Sequence, residues 1–279
     1  MQPDPSMSAE LAGADTIFFV GYGARIGVRF VDSDLGAQLA ARPSPGTRLA
    51  APGKVDRTLS VFHSSDRYWI YGDAEMKCQP ERLVDLLDAF DTHLRATFAE
   101  FSRRKLFIHA GVVGLYGKAI IFPGKSLAGK TTLVAELVKA GATYFSDEYA
   151  VLDDQGRAHP FAKPLSLRPS RTERQRETPV EALGGVAARK AMPVGLVVLT
   201  RYSHGADWAP QTLSTAEGAL AIMANTIAAR RWPSLAVSVI GAVADRARFI
   251  RSDRGEARGL IGKIVAAMQG TEERADLAR

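Results

Sequence analysis

The chain has 279 residues, of which 46% are hydrophobic, enough to bury a substantial core in one or two domains. Its formal net charge is +6, but the basic residues are scattered and do not interleave with aromatic residues as in an RNA- or DNA-binding module, so we expect no nucleic-acid partner. The single cysteine, Cys78, excludes an intramolecular disulfide, and no apolar run is long enough to span a membrane, so we expect a cytoplasmic protein without a membrane partner.

The first third of the chain is predicted to be rich in β-structure. Residues 1–14 are rich in Pro, Ser and Ala, and we expect them to be a flexible N-terminus. Strand patterns follow at 16–32 (two strands around a glycine turn), 58–62 and 68–71, with a Pro/Gly loop at 43–52. Apolar residues at helical spacing predict a long amphipathic helix over 80–103. We therefore predict a β-rich N-terminal section, with its helix, over residues 15–104.

The most specific motif in the chain is a phosphate-binding loop. Gly124-Lys-Ser-Leu-Ala-Gly-Lys-Thr131 has the pattern G-x-x-x-x-G-K-T. A short apolar run with β-branched residues precedes it at 118–122, and apolar residues at helical spacing follow over 132–140, before Gly141. Strand, glycine loop and helix is the context that this motif requires, whereas the alternative is a tight turn before a core helix.

The chemistry of this loop follows from its backbone. Glycines allow consecutive N–H groups to point at phosphate oxygens, and the helix N-terminus adds a favourable dipole. Lys130 is expected to reach the outer phosphates of ATP, and the Thr131 hydroxyl to bind Mg²⁺. The predicted nucleotide-binding residues are Gly124, Lys125, Ser126, Leu127, Ala128, Gly129, Lys130, Thr131 and Thr132.

Two carboxylates follow the loop. Asp147 and Glu148 lie 16 and 17 positions after Thr131, at the end of an apolar segment within a strand predicted over 143–152. We expect that strand to run beside the strand of the loop, so that at least one carboxylate faces the phosphates. Because adjacent strand residues point to opposite faces, only one of the two is expected to bind the metal directly. The alternative is that both carboxylates cap a turn.

The remaining segments complete a predicted second domain over 105–269, followed by a flexible tail over 270–279. His109 lies in a strand predicted over 106–116; a lone histidine in an apolar strand is more often structural than functional. Lys163, Arg168 and Arg171 lie in a Pro-rich segment and could neutralise charge at the site, although a solvated basic loop is favoured. The other predicted elements are strands at 118–122, 195–200 and 235–240 and helices at 213–229 and 258–268.

Three of these motifs together resemble a known family. His109-Ala-Gly-Val-Val, the loop motif and Ser146-Asp-Glu-Tyr-Ala-Val are similar, in order and distance, to the catalytic domain of HPr kinase/phosphorylase and, more closely, to HPr-kinase-related proteins. The segment Pro164-Leu-Ser-Leu-Arg168 also resembles one that follows the carboxylates in those relatives. The likeness covers residues 105–170. It implies an α/β fold with a P-loop core of the HPr kinase and phosphoenolpyruvate carboxykinase type.

The resemblance also implies roles for individual residues. Lys130 and the loop amides would hold the β- and γ-phosphates, and Thr131 would hold Mg²⁺. Asp147 matches the base that accepts the hydroxyl proton, Glu148 matches a second, metal-binding carboxylate, and His109 matches a histidine near the transferred phosphate. Which of the two carboxylates is the base and which the metal ligand stays open. The loop departs from the family pattern at Leu127, where a glycine is usual.

The predicted function is therefore that of an ATP- and Mg²⁺-dependent kinase. Its acceptor would be a serine hydroxyl of a protein or peptide, with threonine less favoured, and a homo-oligomer is one possible state. Relatives that phosphorylate peptides in ribosomal peptide pathways fit the motifs as well as those that act on HPr. Two alternatives remain: a small-molecule phosphotransferase built on the same core, and a non-catalytic ATP-binding regulator.

Overall fold

The computed structural model describes residues 11–73, 75–124, 129–167 and 176–269. The protein is mixed α/β, as predicted, and the described residues form three β-sheets and six α-helices. The chain divides into two compact units, Met1–Arg104 and Lys105–Arg279. None of the helices in the described ranges is both long and apolar enough to cross a membrane.

The first unit contains a six-stranded sheet in the order β3-β1-β2-β4-β5-β6. Its elements are β1 (Asp15–Gly21), β2 (Ala24–Phe30), α1 (Ser33–Ala40), β3 (Arg48–Ala50), β4 (Arg57–Ser64), β5 (Arg67–Gly72), β6 (Glu75–Cys78) and α2 (Leu83–Phe101). The four predicted strands and the long helix are confirmed. The short elements α1, β3 and β6 were not predicted, and β3 lies within the segment predicted as a Pro/Gly loop.

One face of this sheet packs against α2. The helix buries Leu86, Phe90, Leu94 and Phe98, which recur every four residues and therefore lie on one face. They form a single apolar cluster with alternate strand residues such as Phe19. Full burial of side chains of this size stabilises the fold by about 1.5–3 kcal/mol each.

The second unit contains an eight-stranded sheet and a small two-stranded one. The main sheet has the order β11-β10-β7-β8-β14-β16-β15, with β9 paired to β7. Its strands are β7 (Leu106–Leu115), β8 (Lys118–Pro123), β9 (Thr143–Ser146), β10 (Tyr149–Leu152), β11 (Arg157–His159), β14 (Met192–Tyr202), β15 (Gln211–Thr212) and β16 (Arg248–Arg254). The small sheet pairs β12 (Leu165–Leu167) with β13 (Arg176–Thr178).

Four α-helices cover both faces of the main sheet. They are α3 (Lys130–Lys139), α4 (Thr215–Met223), α5 (Pro233–Ala244) and α6 (Ile261–Gln269), with short 3-10 helices at Val180–Leu183 and Ala257–Leu260. Residues of α4 and α5 belong to one apolar cluster and residues of α3 and α6 to another, and β8 contributes alternate side chains to each. Because both faces are covered, the central strands are apolar along their length.

Three strands of the main sheet run parallel and set the position of the site. Strand β14 is parallel to β8 on one side and to β16 on the other. Their carboxyl ends therefore meet at one edge, which is the edge where ligands bind in open α/β sheets. The loop that follows β8 leaves the sheet at this edge.

One predicted strand was wrong, and one strand of the main sheet was missed. The strand predicted over 235–240 lies inside α5, which begins with Pro233 at its first turn and buries residues at helical spacing: Ala236, Val239, Ile240 and Val243. Its β-branched valines and isoleucine imitate a strand locally. Strand β16 was missed because its sequence, Arg-Phe-Ile-Arg-Ser-Asp-Arg, is dominated by charged residues.

Three further boundaries differ from the prediction. The strand predicted over 143–152 is interrupted by a turn at Asp147 and Glu148, which separates β9 from β10. The helix predicted over 213–229 ends at Met223, and the last helix begins with a 3-10 turn before α6. Strand β9 also pairs with β7 and not with the loop's strand β8, whose neighbours are β7 and β14.

Candidate functional site

Strand β7 anchors the start of the phosphate-loop segment. The carbonyl oxygen of His109 accepts a hydrogen bond from the backbone N–H of Gly124 at 3.0 Å. His109 and Gly111 are two residues apart and so lie on the same face of β7, the face that α3 covers. A Cβ atom at Gly111 would lie 2.7 Å from Val134 Cγ2 and 3.6 Å from Lys130 Cβ. The glycine therefore allows the first turn of α3 to lie close above β7.

Helix α3 begins where the loop motif ends. Gly129 is its N-cap residue, with φ of 74° in the left-handed region and no side-chain cap. Gly141 lies just beyond its end with φ of 98°, as the sequence predicts. Lys130, Thr131 and Thr132 form its first turn, whereas Lys125, Ser126, Leu127 and Ala128 lie outside the described residues.

Asp147 is the most heavily hydrogen-bonded group of the site. Its side chain is 2% exposed, and its Oδ2 accepts hydrogen bonds from the Thr131 hydroxyl at 3.1 Å and from the Ser166 N–H at 3.2 Å. Its Oδ1 accepts from the Tyr144 hydroxyl at 3.1 Å and lies 3.1 Å from Lys163 Nζ. Asp147 therefore connects the threonine of the loop to the segment that follows β11.

Lys163 bridges the two carboxylates. Its Nζ lies 3.1 Å from Asp147 Oδ1 and 3.7 Å from Glu148 Oε2, and its side chain is 8% exposed. The favoured prediction of a solvated basic loop is therefore wrong for Lys163. Arg168 and Arg171, which were grouped with it, lie outside the described residues.

The turn between β9 and β10 is closed by a serine and not by the carboxylates. The Ser146 hydroxyl accepts hydrogen bonds from the backbone N–H groups of Glu148 at 3.1 Å and Tyr149 at 3.0 Å. This leaves the side chains of Asp147 and Glu148 directed to other partners. The alternative that both carboxylates cap a turn is not what the structure shows.

His109, Lys130 and the two carboxylates form one electrostatic cluster. Burial lowers the pKa of the Lys130 ammonium, and the attraction of Asp147 and Glu148 opposes that effect. Burial also lowers the pKa of His109, as does the nearby Lys130, while Glu148 acts in the opposite direction. The His109 imidazole is therefore neutral at pH 7, and its ring lies 5.2 Å from that of Tyr149.

A magnesium site requires donors that suit this metal. Among the described residues, no group of three or more His, Cys, Asp and Glu side chains is arranged to hold a metal on its own. Mg²⁺ is usually held by one or two carboxylates together with substrate phosphates and waters. The pair formed by Thr131 Oγ1 and Asp147 Oδ2, 3.1 Å apart, fits that mode of binding, with Glu148 on the adjoining position of the chain.

Arg254 is a residue of this site that the sequence did not indicate. It ends β16 and donates a hydrogen bond from Nη2 to the carbonyl oxygen of Gly129 at 3.0 Å. The motif search could not find it, because it lies 125 positions from that glycine and in a strand hidden by its charged residues. Only the parallel pairing of β16 with β14 brings it to the loop.

A cavity of about 590 Å³ runs along α3, from Thr132 to the end of the helix at Lys139, and is closed on its other side by the segment from Glu256 to Ile261. Lys130, Asp147 and Arg254 do not line it.

No model of a protein family matches the chain, and no curated protein matches it. What the site does must therefore be inferred from its own residues and geometry.

Proposed function

We propose that the protein is an ATP- and Mg²⁺-dependent phosphotransferase that phosphorylates a serine hydroxyl of a protein or peptide. The fold proposed with it is a P-loop core of the HPr kinase and phosphoenolpyruvate carboxykinase type in residues 105–269. The observation that carries the proposal is the hydrogen bond from Thr131 of the loop motif to Asp147. This bond joins the phosphate-binding segment to the carboxylates at the carboxyl edge of the parallel strands.

The phosphate-binding part of the proposal rests on Lys130 and the start of α3. The ammonium of Lys130 is half-buried within the cluster of Asp147, Glu148 and His109, so its charge acts in a medium of low polarity. The N-cap residue of α3 is Gly129, which has no side chain to cap the helix, and the N–H groups of the first turn of a helix are donors that suit an anion. Bound Mg²⁺ would neutralise negative charge on the phosphates, held by Thr131 and Asp147.

The contacts favour different roles for the two carboxylates. The Asp147 side chain is 2% exposed and accepts a hydrogen bond from Thr131, which suits a group on the metal side of the site. The Glu148 side chain is 21% exposed and is the more accessible to an incoming hydroxyl. We therefore assign the role of general base to Glu148, in place of Asp147, to which the family resemblance gave it. Lys163, close to both, would hold the pair in position and balance their charge.

Labelled ATP with a panel of serine-containing peptides and with small hydroxyl metabolites tests the proposed activity. We expect Mg²⁺-dependent transfer to peptide serine, loss of transfer and of ATP binding in Lys130→Ala, and normal ATP binding without transfer in Glu148→Gln. Label that enters only a metabolite would replace the peptide acceptor with a small molecule. ATP binding without any transfer would instead indicate a regulator.

The assignment of the carboxylates has its own test. Asp147→Asn should raise the Mg²⁺ concentration needed for half-maximal activity, whereas Glu148→Gln should lower kcat without changing that concentration. Both variants remove one negative charge from the surroundings of Lys163, so each serves as the control for the other. The opposite pattern would return the role of base to Asp147.

A further inference from the structure

Arg254 is a buried arginine at the end of a strand that leads to the phosphate-loop segment. It is the last residue of β16 and is 2% exposed, whereas Arg251 on the same strand is exposed. Arginine is rarely buried without a partner, because removing its charge from water costs several kcal/mol. The position of Arg254 therefore calls for a compensating interaction.

Within the described part of the chain, the guanidinium of Arg254 contacts only uncharged groups. Nη2 donates to the Gly129 carbonyl at 3.0 Å and Nη1 to the Gly255 carbonyl at 3.2 Å, and the group lies 5.5 Å from the centre of the Tyr202 ring. Nε is buried without a hydrogen-bond partner among the described residues. Glu256 attracts the charge only at longer range, and its carboxylate accepts a 2.6 Å hydrogen bond from the Tyr202 hydroxyl.

Among the residues that the structure describes, no anion is bonded to the positive charge of Arg254. Burial lowers the pKa of this guanidinium, which shows that the environment opposes the charge, although arginine stays protonated at any physiological pH. Its direct neighbour is Gly129, where a Cβ atom would lie 2.4 Å from Nη2. The absence of a side chain at Gly129 is what allows the guanidinium to reach the first turn of α3, one residue from Lys130.

We propose that Arg254 is a second cationic ligand of the phosphates, and that the oxygens of a nucleoside triphosphate supply the anion that its guanidinium lacks. This inference rests on the proposed nucleotide site and deepens it. A guanidinium presents a planar set of N–H donors that suits phosphate oxygens, which a lysine cannot reproduce. Lys130 from the loop and Arg254 from β16 would then bind the triphosphate from two separate elements.

Calorimetry with MgATP, Mg-tripolyphosphate and AMP on the full chain tests this assignment. We expect Arg254→Met to weaken the binding of MgATP and tripolyphosphate by about 10- to 100-fold and that of AMP much less, with Arg254→Lys in between. Arg251→Met removes a positive charge from an exposed position of the same strand and should stay within about twofold of wild type.

Thermal unfolding of each variant shows whether the variant is folded, so that a loss of binding can be separated from a loss of structure. If Arg254→Met does not fold, Arg254→Lys and Arg254→Gln serve for the same titrations. Binding of MgATP to a folded Arg254→Met variant with wild-type affinity would overturn the inference, as would an equal loss for MgATP and AMP. If the wild-type chain bound tripolyphosphate but not ATP, and Arg254→Met weakened that binding, the assignment of ATP as the ligand would fail. The role of Arg254 as a phosphate ligand would remain.

Discussion

At the scale of single residues, Asp147 explains most about how the site is held together. Its two oxygens accept hydrogen bonds from Thr131, Tyr144 and Ser166 and contact Lys163. One carboxylate therefore connects α3, β9, β12 and the segment before β12. A buried carboxylate is tolerated only when such donors surround it. The same contacts that satisfy the oxygens of the buried Asp147 also fix the Thr131 hydroxyl.

Removing the Asp147 carboxylate should therefore destabilise the fold as well as the site. In Asp147→Ala, Lys163 stays buried and loses its nearest counter-charge, and we expect the free energy of unfolding to fall by about 3 kcal/mol. Urea unfolding monitored by circular dichroism measures this change. Glu148→Ala is the control, because Glu148 is more exposed and lies farther from Lys163, and should cost less. Equal stability of Asp147→Ala and wild type would contradict the buried ion pair.

His109 provides a prediction about pH. Burial and Lys130 lower its pKa below the ordinary value, so the unfolded chain binds this proton more readily than the folded chain. The contribution of neutral His109 to stability is thus complete above the unfolded pKa of about 6.5 and is lost as the pH falls through the lowered folded pKa. Urea midpoints between about pH 5 and 8 should fall with acidification more steeply in wild type than in His109→Gln. Since His93, whose pKa is also lowered, is common to both proteins, its effect cancels.

At the scale of elements, the sequence predicted those helices and strands whose pattern lies in neighbouring residues. Strand β8, the loop motif and α3 follow from neighbouring residues, and so does α2 from its apolar spacing. Strand β16 and helix α5 did not, because charged residues hide the strand and β-branched residues imitate a strand in the helix. Arg254 reaches the site only through the order of strands in the sheet, which no local pattern encodes. Lys163 was a candidate from the sequence, but its burial beside the two carboxylates is a result of packing in the fold.

The packing of α3 on β7 can be tested at Gly111. Gly111→Ala places a Cβ atom 2.7 Å from Val134 Cγ2, so we expect a loss of about 1–3 kcal/mol in stability and weaker binding of MgATP. Val134→Ala removes the contacting methyl groups, and the double variant should recover part of both losses relative to the sum of the two single variants. Denaturant titrations and calorimetry measure the coupling.

Gly241 offers a matched control for this substitution. It lies in α5, and a Cβ atom there would meet nothing within 4 Å. Because alanine favours a helix over glycine, Gly241→Ala should stabilise the protein by about 0.5–1 kcal/mol. If both alanine substitutions had the same effect, the close approach of α3 to β7 would not be the cause of the loss at Gly111.

At the scale of the whole molecule, each unit has its own hydrophobic core. The cluster around α2 draws all its residues from the first unit, and the two clusters on either face of the main sheet draw theirs from the second. Every described residue of the proposed site, from His109 to Arg254, belongs to the second unit. A domain that contains its own core is expected to fold independently.

The second unit should therefore bind nucleotide without the first. A fragment that starts at Lys105 keeps β7 whole, and with it the His109 carbonyl that anchors Gly124. We expect this fragment to unfold cooperatively and to bind MgATP with a dissociation constant within about threefold of the full chain, since no described site residue is removed. Phosphoryl transfer to peptide acceptors is measured in parallel. Loss of transfer with ATP binding intact would assign acceptor recognition to residues 1–104. A fragment that folds but no longer binds MgATP would contradict a nucleotide site built from the second unit alone.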